Sequence, residues 1–170
     1  MFFNLKGSMK KISLGIGEVG LTKEVGETLE IIGLGSCIGL SIFSIDLKVV
    51  GMAHIALPDS KIQGSSVKID RGPGYFADLA VVYLLEKMNR SGYGLKDIFV
   101  KIAGGASVMD PNGVFSIGKR NYAAVKTKLS SLNIKISQED CGGNFGRTMR
   151  ITPGNSMAQI ISLGKGRWEI

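Results

Sequence analysis

The sequence predicts an α+β fold in which short strands and two helices pack in layers. Two long apolar runs, residues 37–45 and 48–57, meet at Asp46 and indicate a hairpin of strands that are covered on both faces. Amphipathic stretches at residues 75–89 and 116–132 each predict a helix. Strand-like segments outnumber these helices, and this excess favours the α+β class.

The other elements are predicted from short apolar segments separated by glycine, proline and polar residues. Residues 1–9 are expected to be a flexible leader, residues 10–170 a single domain, and residues 58–74 a mobile surface loop. The last two strands flank Pro153-Gly154-Asn155 and are expected to form a hairpin. The strands predicted outside the central hairpin are residues 11–17, 27–32, 98–103, 134–136, 147–152 and 157–163.

Each predicted helix carries an apolar stripe at helical spacing and a signal at one end. Ser91-Gly92 is expected to end the first helix, and the side chain of Ser116 to cap the second. The expected inner face of the first helix is Phe76, Leu79, Ala80, Tyr83 and Leu84, ending in Lys87. The expected inner face of the second helix is Tyr122, Val125, Leu129 and Leu132.

The composition excludes several classes of protein. The chain has 170 residues, 44% hydrophobic and 21% charged, which is near the globular average and unlike disordered, coiled-coil or collagen chains. One histidine, His54, and two cysteines, Cys37 and Cys141, are too few for a four-ligand Cys/His zinc site or a disulfide scaffold. We therefore expect no metal and no cofactor. The short N-terminal apolar stretch, and the lack of an apolar run of about 18 residues, predict a cytoplasmic protein without membrane insertion.

The net charge of +7 indicates an acidic partner such as nucleic acid, a membrane surface or an acidic protein. The sequence offers few aromatic residues among the basic ones, which disfavours binding of single-stranded nucleic acid. The basic residues of the second predicted helix fit either a solvated face or a docking patch, and they are Lys119, Arg120, Lys126 and Lys128.

Two glycine motifs resemble known sites, but their surroundings argue against both. Residues 15–20 (GIGEVG) match a dinucleotide-binding turn, yet no helical stripe follows, so a glycine-rich turn is favoured. Residues 35–39 (GSCIG) match the nucleophile elbow of α/β-hydrolases with cysteine in place of serine. In that fold an acidic residue and then a histidine follow across a larger sheet. His54 follows Cys37 too closely for those elements, which excludes the fold.

Cys37 and His54 are a candidate catalytic pair. If the central hairpin closes with a two-residue loop, either register places them on one face, directly opposite or one diagonal apart, at about 4.5–8 Å. A three-residue loop would place them on opposite faces, and a buried cysteine is common without any catalytic role. An imidazole nearby can take the thiol proton and return it to a leaving amine. Cys141 has no second histidine to activate it and is expected to be a bystander.

Five short motifs follow one another along the chain: residues 33–37 (GLGSC), 53–58 (AHIALP), 101–106 (KIAGGA), 117–121 (IGKRN) and 140–147 (DCGGNFGR). In this order they resemble the CheD family, the chemoreceptor glutamine deamidases of bacterial chemotaxis. The resemblance runs from about Ile12 to near the C-terminus without large gaps. Five ordered motifs are much more specific than any one of them.

The resemblance implies a layered β-sandwich flanked by helices, similar to the catalytic domain of cytotoxic necrotizing factor, and makes residues 10–170 a deamidase domain. It implies hydrolytic deamidation of selected glutamines on the cytoplasmic helices of methyl-accepting chemoreceptors, through a thioester intermediate. Cys37 is implied as the nucleophile and His54 as the general base and acid. A CheC-like phosphatase is an implied partner in some bacteria, and nucleic acid is not expected as a partner.

Ile31 departs from the family pattern, in which the third catalytic residue is a threonine six residues before the cysteine. Isoleucine cannot accept a hydrogen bond from the imidazole, and Thr28 is expected to point to the other face of its strand. We expect a backbone carbonyl or a water to bind the imidazole N–H instead, with activity below that of threonine-bearing relatives. A non-catalytic chemotaxis adaptor and a nucleic-acid binder remain as alternatives.

Other residues complete the predicted site. The glycines and serine around Cys37 would let backbone amides approach an oxyanion. The candidates for stabilising the oxyanion or lining the substrate are Ser36, Gly104 and Tyr75. The candidates for docking an acidic receptor surface are Lys119, Arg120 and Arg147.

Overall fold

The architecture is a pair of stacked β-sheets with helices on one side. The computed structural model describes residues 10–63, 71–110 and 112–170, so the predicted leader and the middle of the predicted 58–74 loop lie outside the described residues. The described residues form ten strands, two α-helices and a short 3-10 turn at Ser60–Gln63. The strands are β1 Lys10–Ser13, β2 Val19–Thr22, β3 Glu27–Leu34, β4 Ile38–Ser44, β5 Val50–Ile55, β6 Ile98–Gly104, β7 Ile136–Cys141, β8 Arg147–Ile151, β9 Gln159–Ser162 and β10 Gly166–Glu169, and the helices are α1 Ala77–Arg90 and α2 Ile117–Ser131.

Both sheets mix parallel and antiparallel strand pairs. The strand order is β1-β3-β8-β9-β10 in the first sheet and β2-β5-β4-β6-β7 in the second. β1 pairs with β3, and β6 with β7, in parallel, while the other pairs are antiparallel. The predicted α+β class is confirmed, as is the predicted C-terminal hairpin, which is formed by β8 and β9.

Two apolar cores separate the layers. The inter-sheet core joins residues of the first sheet, such as Leu29 and Met149, to Phe43 and Met52 of the second. The other core lies between the second sheet and the two helices and includes Leu40, Ile102, Leu84 and Val125. β4 and β5 therefore bury every residue, because each contributes to both cores.

The central hairpin has one of the two expected registers. Phe43 pairs with Val50, and Ile38 pairs with Ile55. The loop is longer than the two residues assumed, because the last bond before it joins Ser44 N to Val49 O at 2.8 Å. It still holds an even number of residues, so the predicted assignment of side chains to faces is retained.

The first helix buries part of the predicted face, because Phe76, Ala80 and Leu84 are in the core and Leu79 and Tyr83 are not. Leu79 and Tyr83 are 48% and 36% exposed. The face that packs on the sheet is rotated toward Val81, Leu85 and Met88 and keeps Ala80 and Leu84 of the predicted face. There Leu84 packs directly over Gly51 of β5, where any side chain would overlap it. The buried residues of α1 are Ala77, Ala80, Val81, Leu84, Leu85 and Met88.

The second helix is not capped as predicted. Ser116 has a left-handed backbone with φ of 50°, and its side chain makes no capping hydrogen bond. The Asp110 carboxylate instead accepts hydrogen bonds from the amides of Val114, Phe115 and Ser116 at 2.8, 2.9 and 2.7 Å. Asp110 therefore fixes the turn that leads into α2.

Some short elements escape sequence analysis. β2 and β10 have four residues each and lie outside the predicted strands, and β7 shares only Ile136 with the strand predicted at 134–136. Neither helix in the described part of the chain is long and apolar enough to cross a membrane.

Candidate active site

Cys37 lines a cleft of about 470 Å³ and lies in the turn that links β3 to β4. Its side chain is partly exposed. The cleft is formed by this turn, the segment that follows β6 and the first residues of α2, and Ser36 is among the residues that line it. The thiol is therefore accessible to a side chain inserted from outside.

A backbone contact fixes the position of Cys37. Gly105 N donates to Cys37 O at 2.8 Å, and Ala106 N donates to Gly35 O at 2.8 Å. Gly104 has φ of 110°, and a side chain there would overlap the Cys37 carbonyl oxygen. Gly104 therefore acts by its lack of a side chain, which allows β6 to approach the cysteine turn, and it does not itself line the cleft.

His54 lies on β5 opposite Gly39, which places Cys37 one diagonal step away. Both side chains face the inter-sheet core, because His54 is two residues from Met52, and Cys37 packs against the same cluster. Diagonal neighbours on a sheet are about 7–8 Å apart. Among the described residues no hydrogen bond joins the two, so the pair can engage only after a small approach of the side chains.

The imidazole of His54 is held by the backbone. His54 is 5% exposed, and its Nδ1 lies 3.2 Å from Leu14 O. A carbonyl oxygen only accepts, so Nδ1 carries the proton and Nε2 is the basic atom. The expected contact between a backbone carbonyl and the imidazole is thus present at this nitrogen. Burial lowers the pKa of His54 below its ordinary value, while the Leu14 and Gly15 carbonyls and the Glu18 charge oppose that effect.

The two thiols differ in environment. Burial raises the pKa of Cys37, so the thiol needs a base to become a nucleophile. Burial and the neighbouring Glu139 charge raise the pKa of Cys141 to about 12. Cys141 lies on β7 opposite Gly104 and packs against the helix-side core, away from the inter-sheet core where Cys37 packs.

Ile31 is fully buried in the inter-sheet core beside the candidate pair. Its Cδ1 would lie 3.5 Å from a side chain at Gly39, the residue paired with His54. The position therefore faces the strand pair that carries His54 and offers no polar atom there. Thr28 points away, as predicted, and its hydroxyl lies 3.0 Å from the hydroxyl of Thr152.

The first turn of α2 also faces the cleft. Ile117 and Gly118 line it, and Gly118 packs so closely against Gly105 and Ala106 that a side chain would overlap their carbonyl oxygens. The amino end of a helix carries partial positive charge, which favours an anion nearby. The Asp110 carboxylate, which binds the turn before α2 and lines the same cleft, opposes this effect.

Comparison with known proteins agrees with the sequence motifs. A family model described as CheD chemotactic sensory transduction matches residues 56–162. A protein of Syntrophotalea carbinolica is 40% identical over 164 residues, which cover 95% of this chain and 100% of the relative. The chain belongs to the CheD family. The family model begins just after His54, but an alignment over 95% of the chain must include both Cys37 and His54.

Other CheD relatives are similarly close. Proteins of Clostridium tetani and Clostridium novyi are 38% and 41% identical over 165 and 159 residues, covering 95% and 92% of this chain and 97% and 95% of the relatives. All three relatives are named probable chemoreceptor glutamine deamidase CheD. Among solved structures, the hypothetical protein YfiH of Bacillus licheniformis has a TM-score of 0.42 at 10% identity, covering 81% of this chain and 60% of that one. A likeness this weak supports no conclusion.

Two residues predicted for this CheD site lie elsewhere. Tyr75 does not line the Cys37 cleft; it packs beside Gly17 and accepts a hydrogen bond from Arg71. The docking role predicted for Arg147 is wrong, because the side chain is 3% exposed. Its guanidinium binds Asp140 at 2.9 Å and the Gly142 carbonyl at 2.9 Å. Arg147 therefore holds the loop before β8 in place.

The other two docking candidates are accessible. Lys119 and Arg120 are exposed in the first turns of α2, next to residues that line the cleft. Their position is compatible with contact to a partner that reaches Cys37.

Sequence analysis missed Asn121, which is fully buried on α2. Its side-chain amide donates to Ser36 O at 2.9 Å and to Ala56 O at 2.8 Å. A signal was present: Asn121 is part of the IGKRN motif, and it precedes Val125 by four residues and so shares the buried face of the helix. A polar residue on that face needs an explanation in hydrogen bonds.

A set of exposed apolar side chains at the cleft was also missed. Met109 and Phe115 are 95% and 70% exposed, and Val108 is 45% exposed. All three line the Cys37 cleft, and we call them the apolar rim. Exposed apolar residues clustered at a site indicate a surface that binds a partner.

Proposed function

We propose that this chain is a chemoreceptor glutamine deamidase that converts selected glutamine side chains of methyl-accepting chemoreceptors to glutamate. The observation that carries the proposal is the accessible Cys37, on the same sheet face as the only histidine, in a chain whose relatives are named chemoreceptor glutamine deamidases. Cys37 is the nucleophile in this proposal, and His54 is the general base and acid.

The reaction proceeds in two halves. His54 Nε2 takes the thiol proton, and the Cys37 sulfur attacks the carboxamide carbon, forming a C–S bond as the carbonyl electrons move to oxygen. When the oxyanion collapses, the C–N bond breaks and His54 returns the proton, so ammonia leaves and a thioester remains. Water, deprotonated by His54, then attacks the thioester carbon. The C–S bond breaks and His54 returns the proton to the sulfur, so the products are glutamate and the free thiol.

The oxyanion needs hydrogen-bond donors near Cys37. The amides of Gly105 and Ala106 are already bonded to carbonyl oxygens, so they do not serve. The amide of Cys37 makes no hydrogen bond among the described residues, and the amino end of α2 points into the same cleft. We assign the Cys37 amide as an oxyanion donor.

The surroundings of the cleft fit an amphipathic helical substrate. The apolar rim would pack against apolar side chains of a receptor helix, and Lys119 and Arg120 would attract its acidic face. A CheC-like phosphatase is a second candidate partner, proposed from the family. The same proposal includes residues 10–170 as one deamidase domain, action in the cytoplasm, and a fold related to the catalytic domain of cytotoxic necrotizing factor.

A mass-spectrometric assay tests the function. The purified chain is incubated with a cytoplasmic receptor fragment, and conversion of glutamine to glutamate is followed peptide by peptide. We expect conversion with wild type and with Cys141→Ala, and none with Cys37→Ala. Absence of conversion by wild type, with intact receptor binding, would favour the adaptor alternative and overturn the proposal.

A further inference from the structure

The buried side chain of Asn121 joins the two segments that carry Cys37 and His54. Its amide nitrogen donates one hydrogen bond to Ser36 O, next to Cys37, and one to Ala56 O, two residues after His54. The residue is fully buried, and its Oδ1 has no hydrogen-bond partner in the part of the chain that the structure describes.

The amide lies where the β4–β5 ladder ends. The last pair in the ladder is Ile38 with Ile55, so Cys37 and Ala56 would form the next pair. The strands separate there instead. The Asn121 amide binds one carbonyl from each strand and so sets the width of the opening in which the thiol lies.

We propose that Asn121 is a positioning residue that fixes the spacing between Cys37 and His54. This inference rests on the proposed deamidase function. Primary amides alone among side chains of this size offer two N–H donors on one planar nitrogen. Aspartate offers no donor when ionised and one when protonated, and leucine offers none. The unpaired Oδ1 supports the inference, because an apolar residue would fill the same space without burying an unsatisfied oxygen.

The structure provides a matched control for this residue. Ser41 on β4 is also fully buried and donates to a backbone carbonyl, that of Lys101, at 2.9 Å. Ser41→Ala removes a buried side-chain hydrogen bond from β4, the strand that follows the cysteine turn, without touching that turn. Asn121→Asp and Asn121→Leu each remove at least one of the two hydrogen bonds that the Asn121 amide donates to Ser36 O and Ala56 O.

Steady-state kinetics with the receptor fragment give the first measurement. We expect kcat of both Asn121 variants to fall by about 10- to 100-fold, because a small misplacement of catalytic groups has effects of that size. KM should stay within about twofold, since the apolar rim is untouched. Ser41→Ala should keep kcat. Equal losses in Ser41→Ala and the Asn121 variants would overturn the proposal.

Alkylation of Cys37 by iodoacetamide at neutral pH gives a second measurement that needs no receptor. If Asn121 acts by aligning His54 with the thiol, Asn121→Leu and His54→Ala should each slow alkylation, and the double variant should be no slower than the slower single variant. If the double variant instead slows the alkylation of Cys37 by the product of the two single effects, the proposal is overturned. If wild type does not deamidate the receptor, the proposed function fails, while this cycle still tests Asn121.

Alkylation of Cys141 in the same samples reports on folding. This half-buried thiol should react slowly in a folded variant, since its pKa is raised to about 12. Unfolding of both Asn121 variants, seen as rapid alkylation of Cys141, would assign the residue a purely structural role and overturn the proposal.

Discussion

Replacing Ile31 by threonine restores the hydroxyl that the family pattern places six residues before the cysteine. The change removes one buried methyl group and converts a methylene to a hydroxyl, at a site with no exposure. Losing two apolar groups costs about 1.6 kcal/mol, at about 0.8 kcal/mol each. A buried hydroxyl without a partner adds about 1–3 kcal/mol, and a paired one adds little. The stability of the variant therefore reports whether the hydroxyl reaches a partner.

The expected effect on rate is modest, because Leu14 O already binds the imidazole. A further orienting hydrogen bond is worth about 0.5–1.5 kcal/mol, which corresponds to about 2–10-fold in the chemical step. We expect Ile31→Thr to raise the single-turnover deamidation rate by that factor, with unchanged receptor affinity.

Ile31→Val is the matched control, since it shortens the side chain without adding a hydroxyl and costs about 0.5–1.5 kcal/mol. Urea unfolding and single-turnover assays on both variants separate the two effects. If Ile31→Thr and Ile31→Val deamidate at the same rate, the orientation argument is refuted. If wild type is inactive and Ile31→Thr is active, this chain is an adaptor.

The remaining predictions concern charge and the nucleophile. Glu18→Gln should lower the pKa of His54 further, because the Glu18 charge raises it. The acid limb of the pH profile of kcat/KM should then move to lower pH, whereas Glu24→Gln should leave that limb in place. Lys119→Glu should slow receptor association at low salt and lose its effect as salt screens the charge beyond about 10 Å, and a Lys96→Glu control that slowed association equally would argue against a local patch. Cys37→Ala should abolish turnover but keep receptor binding measured by titration. If activity is lost in Cys141→Ala and retained in Cys37→Ala, the assignment of Cys37 as the nucleophile is wrong.

The central hairpin was predictable because the features that determine it, two apolar runs and the turn between them, are adjacent in the sequence. Two apolar runs around Asp46 fix the direction of the turn, and the even loop length keeps Cys37 and His54 on one face. The stripe of α1 was not predictable in the same way. Leu79 and Val81 are both apolar, so the sequence alone does not decide which of them faces the sheet, and Val81 is the one that is buried.

The site was only half predictable, because its remaining parts are contacts between distant backbone segments. Arg147 reads as a surface charge in the sequence, yet Asp140 and two carbonyl oxygens hold it inside the protein. The Asn121 amide binds carbonyls more than 60 residues away. Every residue type has a backbone carbonyl, so the residues that accept these hydrogen bonds cannot be predicted from their identity.

The same reasoning explains why an apolar residue at position 31 is compatible with catalysis. Leu14 O is held in place by backbone bonds on both sides: Leu14 N donates to Glu30 O at 2.8 Å, and Gly17 N donates to His54 O at 2.9 Å. His54 N in turn donates to Glu18 O at 3.0 Å. The carbonyl that orients the imidazole is thus fixed to β3 and to the histidine's own strand. A hydroxyl at residue 31 would add to this arrangement, but the tautomer and ring orientation of His54 are set without it.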